Sequence, residues 1–227
     1  MLKLVAPIAM LAALVSPVQA TPQTDLERFS PALAALQAEY PEQVLQLQAY
    51  ARSQDFTEPH EQLAIVSHEL IHVASAAHDG YWINGTIYEG YQSQLWKGIS
   101  AGDVTPSPDE RNQMAPILNN YWERNPSNDL GRVIDEINAY GETTAFVCLY
   151  ARERASRQTG PLIGHLTLLN AWLRAFRTNA PDQYARLKTT NTTRGIIGLT
   201  VNQAWHALAS CGVQQIRHQD EVQLFLN

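Results

Sequence analysis

Apolar side chains recur three and four residues apart through most of this chain, the spacing that lines one face of an α-helix, and breaks in that rhythm mark the ends of segments. Thr24-Asp25 opens a run through Leu26, Phe29, Leu33, Leu36 and Tyr40, and Pro41 either stops it or starts the next helix, expected over 44–51. A third helix is expected over 61–78, apolar on almost every side. The pattern then changes: Tyr81-Trp82-Ile83 and Thr86-Ile87-Tyr88 are aromatic and β-branched runs joined by Asn84-Gly85, a dipeptide suited to a type I′ turn, so 81–88 reads as a hairpin. Gly98, Gly102, Pro106 and Pro108 predict a loop over 98–109. Further helices are predicted over 109–123, 131–156, 161–178, 182–189 and 199–211, punctuated by Pro126, Gly131, Gly160-Pro161 and Pro181. The expected class is mostly α with a small β hairpin, an α+β fold.

The first twenty residues break from this pattern. One early charge, Lys3, precedes an apolar stretch from Leu4 to Val15, a Ser16-Pro17 break and Val18-Gln19-Ala20, small enough at both key positions for signal-peptidase cleavage after Ala20. The stretch is too short for a membrane anchor, and no later segment is long and apolar enough to span a bilayer. Residues 1–20 are thus expected to be a signal peptide, residues 21–227 one folded domain, and the product periplasmic or secreted. The formal charge of −6 becomes −7 when Lys3 is lost, and no Lys/Arg run is dense enough to follow a phosphate backbone, which argues against nucleic acid as a partner. With 45% hydrophobic residues the chain can bury a core, so global disorder is excluded. Cys148 and Cys211 are an even pair in a disulfide-permissive compartment and are expected to be bridged.

The chemistry is concentrated in Ser67-His68-Glu69-Leu70-Ile71-His72, an HExxH motif. On a helix, with His68 at 0°, His72 falls at about 40° and Glu69 at about 100°, so two imidazoles one turn apart share a face with the acid beside them. Val66, Leu70, Val73, Ala74 and Ala77 fill the opposite side. Polar groups isolated in so apolar a helix cost several kcal/mol unless they have partners, and a metal ion partners all of them at once. Two core histidines with a salt-bridged glutamate are the alternative.

These residues resemble the zincin metallopeptidases, which share an HExxH helix and differ in the third zinc ligand. That resemblance implies a zincin-like fold, a Zn2+ cofactor held by His68 and His72, and a peptide or protein substrate. Two residues are candidates for the third ligand. His78 stands at the HExxHxxxxxH spacing of metzincins, but Ser75 replaces the glycine at which that family turns. A continued helix puts His78 at about 280°, away from the pair. Glu136, in Val133-Ile134-Asp135-Glu136-Ile137-Asn138-Ala139-Tyr140, resembles the ExxA pattern of gluzincins. A helical projection places Glu136 on the apolar face with Tyr140 and Val133, and sends Asp135, Glu142 and Glu153 to a solvated one. Glu136 is therefore the expected ligand, with Tyr140 where some gluzincins have Asp, and Asp135 or Asp79 as the candidate partner of a histidine.

The resemblance further implies a water activated by Glu69 as general base, with the oxyanion stabilised by a donor for which Tyr140 is the first candidate and Tyr88, Tyr91 and His165 are others. The hairpin 81–88 is the expected ledge for an extended peptide. Two other functions stay open: a non-catalytic zinc- or peptide-binding module, against which the intact Glu69 argues, and a zinc amide hydrolase acting on cell-wall or other non-protein amides. Residues 21–55 are open to a reading as a removable propeptide.

Overall fold

The computed structural model describes residues 21–118 and 128–227. The expected signal peptide and the end of the helix expected over 109–123 lie outside the described residues. Helices α1 (Pro22–Phe29), α2 (Pro31–Glu39), α3 (Pro41–Ser53) and α4 (Pro59–Ala77) precede the strands β1 (Gly80–Ile83) and β2 (Thr86–Glu89). Two 3-10 turns, Gln94–Lys97 and Ala101–Asp103, lead to α5 (Pro108–Gln113) and α6 (Ala115–Ile117). Then follow α7 (Leu130–Tyr150), a 3-10 turn Arg152–Arg154, α8 (Ser156–Asn179), α9 (Pro181–Thr189), α10 (Asn191–Ser210) and α11 (Asp220–Leu226). The described chain is mostly helical with one small antiparallel sheet.

Proline sets many of the boundaries. Pro22, Pro31, Pro41, Pro59, Pro108 and Pro181 each open a helix, where the fixed φ suits the first turn and the missing N–H has no intrahelical partner to lose. The run expected from Thr24 to Tyr40 is for this reason two helices, with Ser30 capping the second by accepting from the Leu33 N–H. Pro116 likewise divides the helix expected from 109 into α5 and α6.

Elsewhere packing overrides these signals. The helix expected to start at Pro161 begins at Ser156 and runs through the proline, with Gln158 buried upstream. Gly160 and Gly164, one turn apart, let α6 lie against α8: a Cβ at these positions would meet Pro116 at 3.5 Å and Ile117 at 3.2 Å. The helix expected from 199 begins at Asn191, because Thr193, Ile196 and Ile197 bury one face despite Gly195 and Gly198. Helix α11 has no counterpart in the sequence reading. Its first turn is capped by Asn170 of α8, whose Oδ1 accepts from the Glu221 and Val222 N–H groups.

Two apolar cores meet at α7. One gathers Leu26, Leu33 and Leu36 from α1 and α2, Val66, Leu70 and Ile71 from α4, and Phe146 and Val147 from α7. The other joins Val133, Ile134 and Ile137 of α7 to α8, α10 and α11. The central helix α7 is thus buried on two sides, and at Gly141 a Cβ would come within 3.4 Å of the α10 backbone at Ala204.

The hairpin is as expected, with Asn84 and Gly85 both at positive φ, 47° and 81°, as a type I′ turn requires. It bridges α4 and α7. The Trp82 N–H donates to Ser75 Oγ on α4 at 3.1 Å, and Asn138 Nδ2 on α7 donates to the Trp82 carbonyl at 2.7 Å.

Cys148, in the last turn of α7, and Cys211, the C-cap of α10, form a disulfide with Cα atoms 5.2 Å apart and a sequence separation of 63. Replacing either cysteine by serine is expected to lower unfolding free energy by about 3–4 kcal/mol, measured by denaturant melts, while thiol counting on the unfolded native chain should find no free thiol. Buried Glu110 supplies a second test. Burial alone raises its pKa, but bonds from Arg174 at 2.6 and 2.9 Å and from the Ser107 N–H hold it down to about 2. A carboxylate held below its unfolded value stabilises the fold above that value and loses the effect as pH falls through the folded one. The stability advantage of the native chain over Glu110→Gln should therefore be full above about pH 5, on the order of 3 kcal/mol, and vanish towards about pH 2.

Candidate metal centre

Helix α4 carries the HExxH motif where it crosses α7. Its N-cap is Glu58, whose carboxylate accepts from the Glu61 N–H, and the helix continues without a turn through Ser75 to Ala77. Ser75 does not bend the chain. It is wholly buried, and its hydroxyl receives the hairpin, so His78 becomes the exposed C-cap of α4 rather than swinging back to the histidine pair.

His68, His72 and Glu136 converge from the two helices, with one ligand atom of each inside a 4.8 Å cluster. The Nε2 atoms of the histidines are 3.1 Å apart, and Glu136 Oε2 lies 3.4 Å from His68 Nε2 and 3.8 Å from His72 Nε2. A tetrahedral ion bound at about 2.1 Å separates its ligands by about 3.4 Å, so the three donor atoms fit one small cation. Two imidazoles and a carboxylate also match the donor set of a zinc site that keeps a further position open.

A second carboxylate orients one of the two histidines. Asp135 Oδ2 lies 2.7 Å from His72 Nδ1. Because a carboxylate only accepts, Nδ1 carries the proton, and in the neutral imidazole the lone pair is left on Nε2, facing Glu136 and His68. The same oxygen accepts from Tyr91 Oη at 2.8 Å, and Tyr91 Oη accepts from Arg132 Nη1 at 3.0 Å. Adjacent residues of α7 thus grip His72 from both sides, Asp135 at Nδ1 and Glu136 near Nε2.

The electrostatics of the metal-free cluster follow from this grip. Burial pushes the His72 imidazolium down, but Asp135 and then Glu136 and Glu69 outweigh it and raise its pKa to about 9. Burial raises Glu136, yet the hydrogen bond from His68 and the His72 charge bring it down to about 2. A proton on His72 therefore occupies electrostatic space that a dication would take, and metal uptake would release that proton. His165 is driven by burial down to about 4; its Nδ1 lies 3.0 Å from the Pro161 carbonyl and its ring stacks on Tyr140.

Tyr140 packs its ring edgewise on His68, with centroids 4.4 Å apart. Burial, then the charges of Glu136 and Glu69, push its phenol well above the ordinary value, so it remains an O–H donor. Glu69 is half-buried beside the histidines. Of the other oxyanion candidates, Tyr91 is tied to Asp135, His165 lies behind Tyr140, and Tyr88 packs from β2 against the C-terminal core. Asp79 caps a turn, accepting from the Gln92 N–H, and does not orient a histidine.

The helical projection misassigns the acids of α7. Asp135 and Glu142 are buried, at 2% and 6% exposure, whereas the Glu136 side chain is 22% exposed and opens into a cleft of about 560 Å³. Glu153, beyond the end of α7 in the 3-10 turn, is on the surface as expected. A projection presumes one buried face, and α7 has two, so the partly open Glu136 faces the site while Asp135 and Glu142 are covered. Glu142 instead secures the hairpin by accepting from the Asn84 N–H. Arg132 and Lys97, which also line the cleft, were not singled out by the sequence; Arg132 stands one turn before Glu136, which is the one signal for it.

No protein-family model matches the chain, and neither a curated protein nor a solved structure matches it significantly. The centre therefore rests on its own geometry.

Asp135→Asn keeps an acceptor at His72 Nδ1 and removes its charge. Zinc affinity, read by competition with a chromogenic chelator, is expected to fall about 10-fold or more with the circular dichroism unchanged, and equal affinity would show that Asp135 does not support the cluster.

Proposed function

We propose that this chain is a zinc-dependent peptidase of zincin type, gluzincin-like in taking a glutamate as third ligand, with His68, His72 and Glu136 holding the metal and Glu69 as general base. The observation that carries this reading is the convergence of His68 and His72 with Glu136, from a helix 64 residues further on, beside an acid that is not a ligand. A purely structural site has no use for Glu69. Export to the periplasm or beyond is part of the proposal, supported by the disulfide, which persists in oxidising compartments. Among the described residues, no helix is long and apolar enough to cross a membrane.

A dication held at this centre supplies Lewis acidity towards the substrate carbonyl and acidifies the attacking water. The protein's own groups do the rest. Glu69 takes the proton of the water whose oxygen adds to the carbonyl carbon, then delivers it to the amide nitrogen as the C–N bond breaks. In this reading the Tyr140 hydroxyl donates to the oxygen that gains charge. Asp135, backed by Tyr91, keeps His72 from rotating. The outer edge of β2 has no strand partner among the described residues and is the ledge on which an extended peptide adds a strand.

Elemental analysis and peptide-library cleavage test this together. The mature chain should carry about one zinc and cleave peptides, and Glu69→Gln should keep the zinc and lose about 100-fold or more in rate. Glu136→Gln should lose at least about 10-fold in zinc affinity while His78→Ala retains it. A chain that holds zinc but cleaves no peptide would instead be a binding module or an amide hydrolase of another substrate. A chain that takes up no zinc refutes the metal reading.

A further inference from the structure

The cleft that opens on His72 and Glu136 has a charge pattern the peptidase reading does not use. Three acids, Asp129, Asp135 and Glu136, and two permanent cations, Lys97 and Arg132, line it beside His72 and Tyr91. The acids are all committed. Asp135 accepts from His72 and Tyr91, Glu136 belongs to the metal cluster, and Asp129 caps α7 by accepting from the Arg132 N–H at 3.1 Å. The cations are not. Lys97 is exposed, at the end of its 3-10 turn, and has no ion pair or hydrogen bond among the described residues. Arg132 gives one Nη1 bond to Tyr91 Oη and lies 5.7 Å from the centre of that ring, with no carboxylate partner among the described residues.

The backbone that carries Arg132, a residue that is itself exposed, is held at a defined depth. Arg132 follows Gly131, where a Cβ would meet Trp96 at 2.9 Å and Tyr81 Oη at 3.0 Å, so the first turn of α7 is pressed into the fold. Tyr91 then braces one edge of the guanidinium, and the other nitrogens have no hydrogen-bond acceptor among the described residues. One helical turn separates Arg132 from Glu136, about 6 Å between their Cβ atoms, which places a group bound to the guanidinium within about one or two peptide residues of the metal cluster. A guanidinium with a free edge and a nearby ammonium are what a carboxylate seeks.

We propose that Arg132 and Lys97 form a carboxylate-binding subsite, and that the substrates of this centre are peptides carrying a carboxylate within one or two residues of the bond that is cut. This rests on the peptidase reading for the word substrate; the carboxylate site itself does not. The carboxylate comes from either a free peptide C-terminus or an acidic side chain, and both present the same two oxygens to the fork.

The test is binding without turnover. The mature chain carrying Glu69→Gln is titrated calorimetrically, zinc-free and zinc-loaded, with an acetylated alanine-rich tetrapeptide as free acid, as C-terminal amide, and as an amide in which one alanine is glutamate. The free acid or the glutamate peptide should bind about 10-fold more tightly than the plain amide, and the difference should shrink as salt rises. A preference for the free acid alone assigns the subsite to chain termini, and a preference for both assigns it to carboxylates generally. Adding Arg132→Gln and Lys97→Gln should bring acid and amide within about 2-fold, with Arg132→Lys keeping part of the preference and thermal melts confirming that each variant folds. Equal binding of all three peptides to the parent protein, or a preference that survives the double substitution, overturns the proposal and leaves Arg132 as a brace for Tyr91. The two readings fail separately. Peptide cleavage by the unmodified chain with no carboxylate preference sinks the subsite alone, and carboxylate binding by a chain that takes up no zinc sinks the peptidase alone.

Discussion

Glu136 can meet the two histidines only if α7 lies at one depth and one rotation against α4, and much of the remaining structure serves to fix those two quantities. Depth is set where the chain has no side chain to spare. Gly131 admits Trp96 and Tyr81 against the first turn of α7, and Gly141 lets α10 approach its middle to backbone contact. Rotation is set by polar bonds that tolerate little slippage. Asn138 reaches the Trp82 carbonyl, Trp82 reaches Ser75, and so the short hairpin works as a strut between the helices that bear the ligands. A turn of α7 by one residue would exchange Asp135 for Glu136 and leave both histidine nitrogens wrongly matched.

The charge balance of the centre follows from the same adjacency. Two carboxylates, Glu136 within the cluster and Asp135 behind His72, would offset the two positive charges of a dication held there. Without metal the protonated His72 takes over part of that role. The buried carboxylates are never left without a positive neighbour, which is why a helix end pressed so deeply into the fold can carry Asp135 and Glu136 in succession.

What could be read in the sequence was local, and what could not was long-range. The HExxH spacing, the Asn84-Gly85 turn and the cysteine pair each depend on a few residues or on compartment chemistry, and each has its counterpart in the structure. Continuation of the helix through Ser75 also followed from propensity, and it separates His78 from the cluster. The acids of α7 were misassigned because helical periodicity sorts residues into faces without saying how many faces are covered. Helix starts at Ser156 and Asn191, and the existence of α11, depend on burial and on a cap supplied by Asn170 from another helix, neither of which any window of sequence contains. Pro31 starts a second helix inside the run from Leu26 to Tyr40, and the apolar spacing continues across it.

The placement of α7 has a consequence for the chain as it is made. The histidine helix leaves the ribosome long before Glu136, and α7 in turn packs most extensively on α10, which ends at Ser210. A nascent or truncated product that stops before α10 contains every residue of the motif and of the ligand set, yet lacks the helix against which Gly141 registers α7. The complete motif in such a fragment is a list of donors without a coordination geometry. The geometry of this centre therefore depends on a helix that carries none of its ligands.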